Sequence, residues 1–136
     1  MEPTGDLLMS AARALRRRYA AALSEWDITP SQGRALRMVV AADEPPRLSA
    51  VAEKLRIKPR SATEVIDALQ ARDLVERSAD PCDRRATCVR ATDSGRRLAA
   101  VIDEAREEEV RAYLSVLDPS DRTALARILE KLAANS

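Results

Sequence analysis

Two adjacent arginines, Arg84 and Arg85, close the segment Ala79-Asp80-Pro81-Cys82-Asp83-Arg84-Arg85, whose proline and aspartates mark a turn. Guanidinium groups stay charged at every physiological pH and carry a rigid fork of donors, which suits them to phosphate oxygens or to the groove of a duplex. A second basic group, Lys58 and Arg60, brackets Pro59, with Ser61, Thr63 and Glu64 close behind. Arginine pairs with guanine O6 and N7, hydroxyls reach either kind of base edge, and a carboxylate accepts from cytosine N4. Lys58 fits a backbone phosphate. Glu64 either reads a base or pairs with a nearby arginine and points away; the pairing is the favoured expectation. Nothing comparable suggests catalysis. The chain has no histidine, no glycine-rich phosphate loop and no cluster of metal ligands, so neither an enzyme nor a cofactor is expected.

These groups need elements to aim them. Ser49 to Leu55 reads as a short helix capped by Ser49, with Val51, Ala52 and Leu55 on one face. A turn through Arg56-Ile57-Lys58 follows. Pro59 then takes a first helical position, where its missing N–H is no loss. Ala62, Val65, Ile66 and Leu69 recur at spacings of three and four, so the helix to Arg72 buries one face and turns Arg60, Ser61, Thr63 and Glu64 outward. Leu74 to Arg77 reads as an extended segment and Thr87 to Thr92 as its return, rich in residues that favour strands. Two short helices joined by a tight turn, then a basic hairpin, define a winged helix.

The run DPCDRRATCVRATDSGR, from Asp80 to Arg96, and the upstream VIDALQARDLVER, from Val65 to Arg77, resemble the MarR family (multiple antibiotic resistance regulators). The resemblance covers roughly residues 29 to 97, and the flanking helices agree in length and order. It implies a sequence-specific, double-stranded-DNA-binding transcriptional regulator, most often a repressor, that dimerises through its N- and C-terminal helices on a near-palindromic operator. By the same resemblance Asp83 holds the wing through a salt bridge and one arginine enters the minor groove. Adjacent residues point in different directions, so one of Arg84 and Arg85 can brace while the other reads. Arg85 is the expected brace and Arg84 the expected reader. Relatives often bind small anionic or phenolic effectors between stem and DNA-reading lobe; Arg16, Tyr19, Trp26 and Arg37 are the candidates here. The chain departs from the family at Glu64, where a basic residue is common. It departs again at Asp73, where a glycine is usual and a left-handed backbone is expected.

The rest of the chain fits a helical frame. Asp6 to Trp26 is one long helical pattern, with Arg13, Arg16, Arg17 and Arg18 crowding its middle. Thr29-Pro30-Ser31-Gln32 has the form of a capping box, and Leu36, Val39 and Val40 form the inner face of the helix it opens. Pro45-Pro46 ends that helix, and Arg47-Leu48 is expected as a small edge strand. After the hairpin, Thr92 caps a helix carrying Leu98, Val101, Ile102 and Ala105 inward, with Glu107, Glu108 and Glu109 exposing or bending its second half. Asp118-Pro119 opens a last helix striped by Leu125, Ile128, Leu129 and Leu132. With Leu8 and Leu15 of the first helix, that stripe needs a covering surface. A second copy is the economical one.

The expected fold is therefore mainly α with a small β-hairpin wing. It is one domain over residues 1–136, with a winged helix-turn-helix lobe at 29–97 and dimerisation helices at 6–26 and 98–134. The formal charge of +1 hides an uneven spread: residues 47–97 hold twelve basic and eight acidic side chains, residues 98–136 five and eight. Positive charge collects on the lobe. Only two cysteines, no spanning apolar run and no secretory pattern at the N-terminus point to a cytoplasmic protein without a membrane partner. Two alternatives stand beside DNA regulation by an effector. One is a redox response through Cys82 and Cys88, if the wing brings them opposite each other. The other is a winged helix that binds protein instead of DNA.

Overall fold

The computed structural model describes residues 3–136. Helix α1 spans Thr4–Leu23 and gives way to a 3-10 turn at Ser24–Trp26. Then come α2 (Pro30–Ala41), α3 (Leu48–Leu55), α4 (Pro59–Ala71), the strands β1 (Val75–Ala79) and β2 (Thr87–Ala91), and α5 (Asp93–Tyr113). A 3-10 turn at Leu114–Val116 leads into α6 (Pro119–Ala134). The long first helix stops short of Trp26 because Asp27 takes a left-handed backbone with φ 55°, which redirects the chain before α2.

Helix starts follow local chemistry. The Thr29 hydroxyl accepts from Gln32 N–H and the Gln32 carbonyl oxygen accepts from Thr29 N–H, both at 3.2 Å, which is the reciprocal capping box. Asp118 accepts from Asp121 N–H at 2.8 Å and Pro119 fills the first position of α6. The expected Ser49 cap is corrected: α3 begins one residue earlier, from Arg47, without a side-chain cap. Pairing explains it. The Pro46 carbonyl accepts from Val89 N–H at 2.9 Å and Arg47 forms a single antiparallel bridge with Cys88, so the backbone is extended only up to Arg47. The expected edge strand therefore shrinks to one residue, and Leu48 is helical.

The core lies between α2, α4, α5 and the base of the hairpin, built from Leu36, Ile66, Leu69, Val89 and Ile102, each fully buried. Full burial of such a side chain contributes about 1.5–3 kcal/mol, and these few fix where α4 sits. On α5 one expectation fails. Ile102 and Ala99 face inward, Leu98 and Ala105 are half-buried, but Val101 is exposed. At one residue before Ile102 it is turned about a quarter of a circle from the buried face. Helix α5 runs unbroken past Glu107 and Glu108, which are exposed, while Glu109 pairs with Arg18 at 3.3 Å.

The hairpin joins the core through a tight knot. Asp73 has φ 58°, the left-handed conformation expected there. The Thr92 hydroxyl donates to the Asp73 carbonyl at 2.6 Å and accepts from Gly95 N–H at 3.0 Å, tying the strand base to the start of α5. A Cβ on Gly95 would lie 2.0 Å from the Leu74 carbonyl oxygen, backbone that cannot swing aside. Gly95→Ala is expected to cost at least about 2 kcal/mol, as overpacking against fixed atoms does. Urea unfolding should show a lowered midpoint with an unchanged slope; an unchanged midpoint contradicts this packing.

Helix α6 is the exception to all this burial. None of its residues is buried, and Ile128, Leu129 and Leu132 are 46%, 44% and 48% exposed. Leu125 and Leu15 are half-buried, and Leu8 is half exposed beside exposed Leu7 and Met9. Among the described residues, no helix is long and apolar enough to cross a membrane.

Candidate nucleic-acid interface

Helix α4 presents its first turns as its sequence pattern requires. Ala62, Ile66 and Leu69 are buried; Lys58, Arg60, Thr63 and Glu64 are exposed, and Ser61 is half-buried. The Thr63 hydroxyl donates to the Pro59 carbonyl at 3.0 Å, back onto its own helix. Arg60 and Glu64 approach to 3.8 Å as an i, i+4 pair, with side chains 92% and 71% exposed. A pair so open to water holds its members loosely. Arg60 can leave it for a base or a phosphate.

The wing is a two-stranded antiparallel ladder in which Val75 faces Ala91 and Ala79 faces Thr87. Strand β1 begins one residue and ends two residues later than its sequence suggested, so Ser78 and Ala79 lie inside it and Leu74 does not. Across the ladder Glu76 faces Arg90, and the guanidinium Nε donates to the Glu76 carboxylate at 2.9 Å. Arg77 reaches the other way, to Gln70 at 2.5 Å and Asp67 at 2.6 Å, both on α4. It locks the wing's first strand to the helix that should meet DNA.

The tip is braced differently from expectation. The anticipated ion pair between Asp83 and Arg85 does not form among the described residues. Asp83 instead accepts from the Arg85 backbone N–H at 3.0 Å, a local aspartate turn that uses no side-chain cation. The ionic brace is Asp80 with Arg47, whose Nε donates at 2.6 Å. Asp80 is well placed for it, since its other oxygen accepts from Cys82 N–H at 2.7 Å. Those bonds hold the Asp80 carboxyl below the usual carboxylate range, the Cys82 N–H contributing most and the Arg47 guanidinium next. A depressed carboxyl stabilises the wing above its unfolded pKa, and that support is lost as pH falls through the lower folded value. In a carbon-13 carboxyl titration Asp80 is expected below a free aspartate. Arg47→Ala should raise it toward the free value but leave part of the depression, which the Cys82 N–H sustains; full restoration would remove the Cys82 contribution.

With Arg47, Arg77 and Arg90 tied to carboxylates, the cations left for a polyanion stand out. Lys58, Arg84 and Arg85 are exposed and form no ion pair among the described residues. The three structural arginines escaped the sequence pattern because their partners lie across the fold. Only Glu76 with Arg90 was recoverable, by counting register back from the turn.

The two cysteines are not opposed. Ser78 faces Cys88 across the ladder, while Cys82 lies out in the tip. Both are free; Cys82 is exposed and Cys88 buried. Burial pushes the Cys88 thiol up, with Asp80 adding to the shift, so it stays protonated and unreactive at neutral pH. Native labelling with a thiol reagent is expected to modify Cys82 promptly and Cys88 only on unfolding. Equal rates at both would contradict this burial.

Of the four candidates for an effector pocket, three meet. Arg16, Tyr19 and Arg37 line one cleft between α1, α2 and α5. Trp26 does not join them: the 3-10 turn swings it against the core cluster, where it is half-buried.

The fold and its free cations define a winged helix-turn-helix protein carrying a basic wing. Residues 26–86 match the model described as the MarR family. The chain is 24% identical over 130 residues to the HTH-type transcriptional regulator MhqR of Bacillus subtilis, covering 96% of this chain and 89% of that one. It is 30% identical over 87 residues to the HTH-type transcriptional repressor MdtR of the same organism, covering 64% and 56%. In fold it is similar to the S. aureus MepR–DNA complex, with a TM-score of 0.77, 20% identity and 97% of each chain covered. The match to the MarR family model falls on the winged helix-turn-helix lobe and the start of the wing. The relatives the chain matches are regulators and not enzymes.

Proposed function

We propose that this chain is a homodimeric, sequence-specific repressor that binds double-stranded DNA in the cytoplasm and releases it when a small effector binds. Its 136 residues act as one unit, with the lobe at 29–97 carried on stem helices at 6–26 and 98–134. The observation that carries the reading is the pattern of pairing on the lobe. Seven-tenths or more of the Arg60 and Glu64 side chains lie open to water, and Lys58, Arg84 and Arg85 hold no carboxylate among the described residues, while Arg47, Arg77 and Arg90 of the same lobe are each paired with one. Cations kept unpaired on a recognition helix and a wing tip suit phosphates and a minor groove. The solved complex of MepR with DNA supports the same use of this fold.

The dimer is supported by α6. A helix of 16 residues with no buried side chain is marginal alone, and an apolar stripe on it is stabilised by an identical stripe across a two-fold axis. Two recognition helices about 34–36 Å apart then enter successive major grooves of a near-palindromic operator. Titrating an operator-bearing duplex at increasing salt tests the reading. Binding should weaken steeply, with a slope of about −0.9 per neutralised phosphate on log–log axes; a flat response would sink it.

A further inference from the structure

The two strands of the wing are anchored to different helices. On β2, Val89 N–H donates to the Pro46 carbonyl at 2.9 Å and Cys88 bridges Arg47, the residue that leads into α3. The tip returns to the same place, through Asp80 on Arg47. On β1, Arg77 reaches α4 instead: one terminal nitrogen donates to Gln70 at 2.5 Å and the other to Asp67 at 2.6 Å. Among the described residues these are the polar side-chain bonds that join the wing to the recognition helix. Burial along β1 ends there, with Val75 buried, Arg77 half-buried, and Ser78 and Ala79 exposed.

Two carboxylates on α4 meet arginines, and they are held differently. Asp67 lies about two turns beyond Arg60, on the same side of the helix. Glu64 and Arg60 stand 3.8 Å apart with both side chains open to water, so that pair exchanges freely. The Arg77 side chain is only 25% exposed, and its planar fork spans two acceptors one helical turn apart. Such a fork fixes direction as well as distance.

We infer that Arg77 is a positioning residue that locks the wing tip relative to α4, so that the protein selects DNA by the spacing between a major-groove core and a minor-groove flank. The inference rests on the DNA-binding reading above and deepens it. Without Arg77 the wing keeps its hold on the start of α3 and pivots about it. One base pair inserted between core and flank displaces the flank by about 3.4 Å and turns it by about 35°. A wing locked to α4 cannot follow that step. A pivoting wing can.

The probe is the duplex most enriched by the parent chain from a randomised pool, beside the same duplex with one base pair inserted between each core and its flank. The parent should bind the inserted duplex about tenfold more weakly, as loss of a specific contact costs. Arg77→Ala should separate the two duplexes by no more than about twofold. Asp67→Ala/Gln70→Ala should lose the same discrimination, although it removes a negative charge where Arg77→Ala removes a positive one. Overall affinity should thus move in opposite directions while the spacing preference disappears in both. Arg77→Lys, a point charge facing two acceptors, should recover part of it. A merely destabilised lobe would weaken both duplexes alike. A preference kept in Arg77→Ala overturns the inference, as does one kept in the acceptor variant, which would put Arg77 on the DNA itself. Residual dipolar couplings of the free protein test the lock without DNA: β1, β2 and α4 should share one alignment frame in the parent and not in Arg77→Ala. A frame shared in both also overturns it. A parent that enriches no duplex refutes the DNA-binding reading and the spacing role with it, and the couplings still decide the lock. A parent that enriches a duplex yet ignores the insertion refutes the spacing role alone.

Discussion

An Arg84→Ala/Arg85→Ala variant is expected to bind operator DNA at least about a hundredfold more weakly than the parent at moderate salt. Neither guanidinium supports the fold. The tip is held by Asp80 on Arg47, by Cys82 N–H on Asp80 and by the Asp83 turn on the Arg85 backbone, and an alanine at 85 retains that last N–H. Helicity and thermal midpoint should therefore stay within experimental error, so the loss reports on contact with the duplex. The salt slope should also flatten, because fewer counterions are displaced. Arg47→Ala makes the complementary case: it removes the brace while leaving both tip cations, so binding should fall less and wing amides should exchange faster. If the double variant binds like the parent, the wing does not touch DNA. The protein-binding alternative then gains.

The second large effect lies far from the lobe. Leu129→Asp/Leu132→Asp places two carboxylates in the apolar stripe of α6, where the parent residues are 44% and 48% exposed in a single subunit. A lone chain should tolerate this. A dimer should not, since unpaired charges buried at an interface cost several kcal/mol. Sedimentation should show the variant as single subunits at concentrations where the parent is dimeric, and duplex affinity should collapse with it. Half a grip binds weakly: one lobe contributes half the contacts and none of the gain from linkage. A variant that stays dimeric places the interface elsewhere.

Much of this was legible from residue order. Spacings of three and four fixed the buried face of α4, and Thr29, Pro30 and Gln32 announced their helix because capping is a local event. Asp73 could be assigned a left-handed backbone because it stands where the resemblance to the MarR family places a glycine. Two of the failures share a cause. Ser49 lost its cap because Val89, forty residues on, pairs with Pro46 and sets where α3 begins. Asp83 lost its ion pair because Asp80 could reach Arg47 from outside the hairpin. Trp26 left the cleft through a 3-10 turn that helical periodicity does not register. The first two outcomes are decided by a residue distant in sequence, the third by a local turn. The cleft between α1, α2 and α5 is of the first kind, since it gathers side chains from three helices.

Selecting duplexes from a randomised pool with the purified chain, then sequencing what it retains, tests the central claim most directly. The enriched fragments should carry two inverted half-sites with centres about one helical turn apart, as a two-fold pair of recognition helices requires. Fragments with a solitary half-site, or a pool left unenriched at low salt, would contradict it.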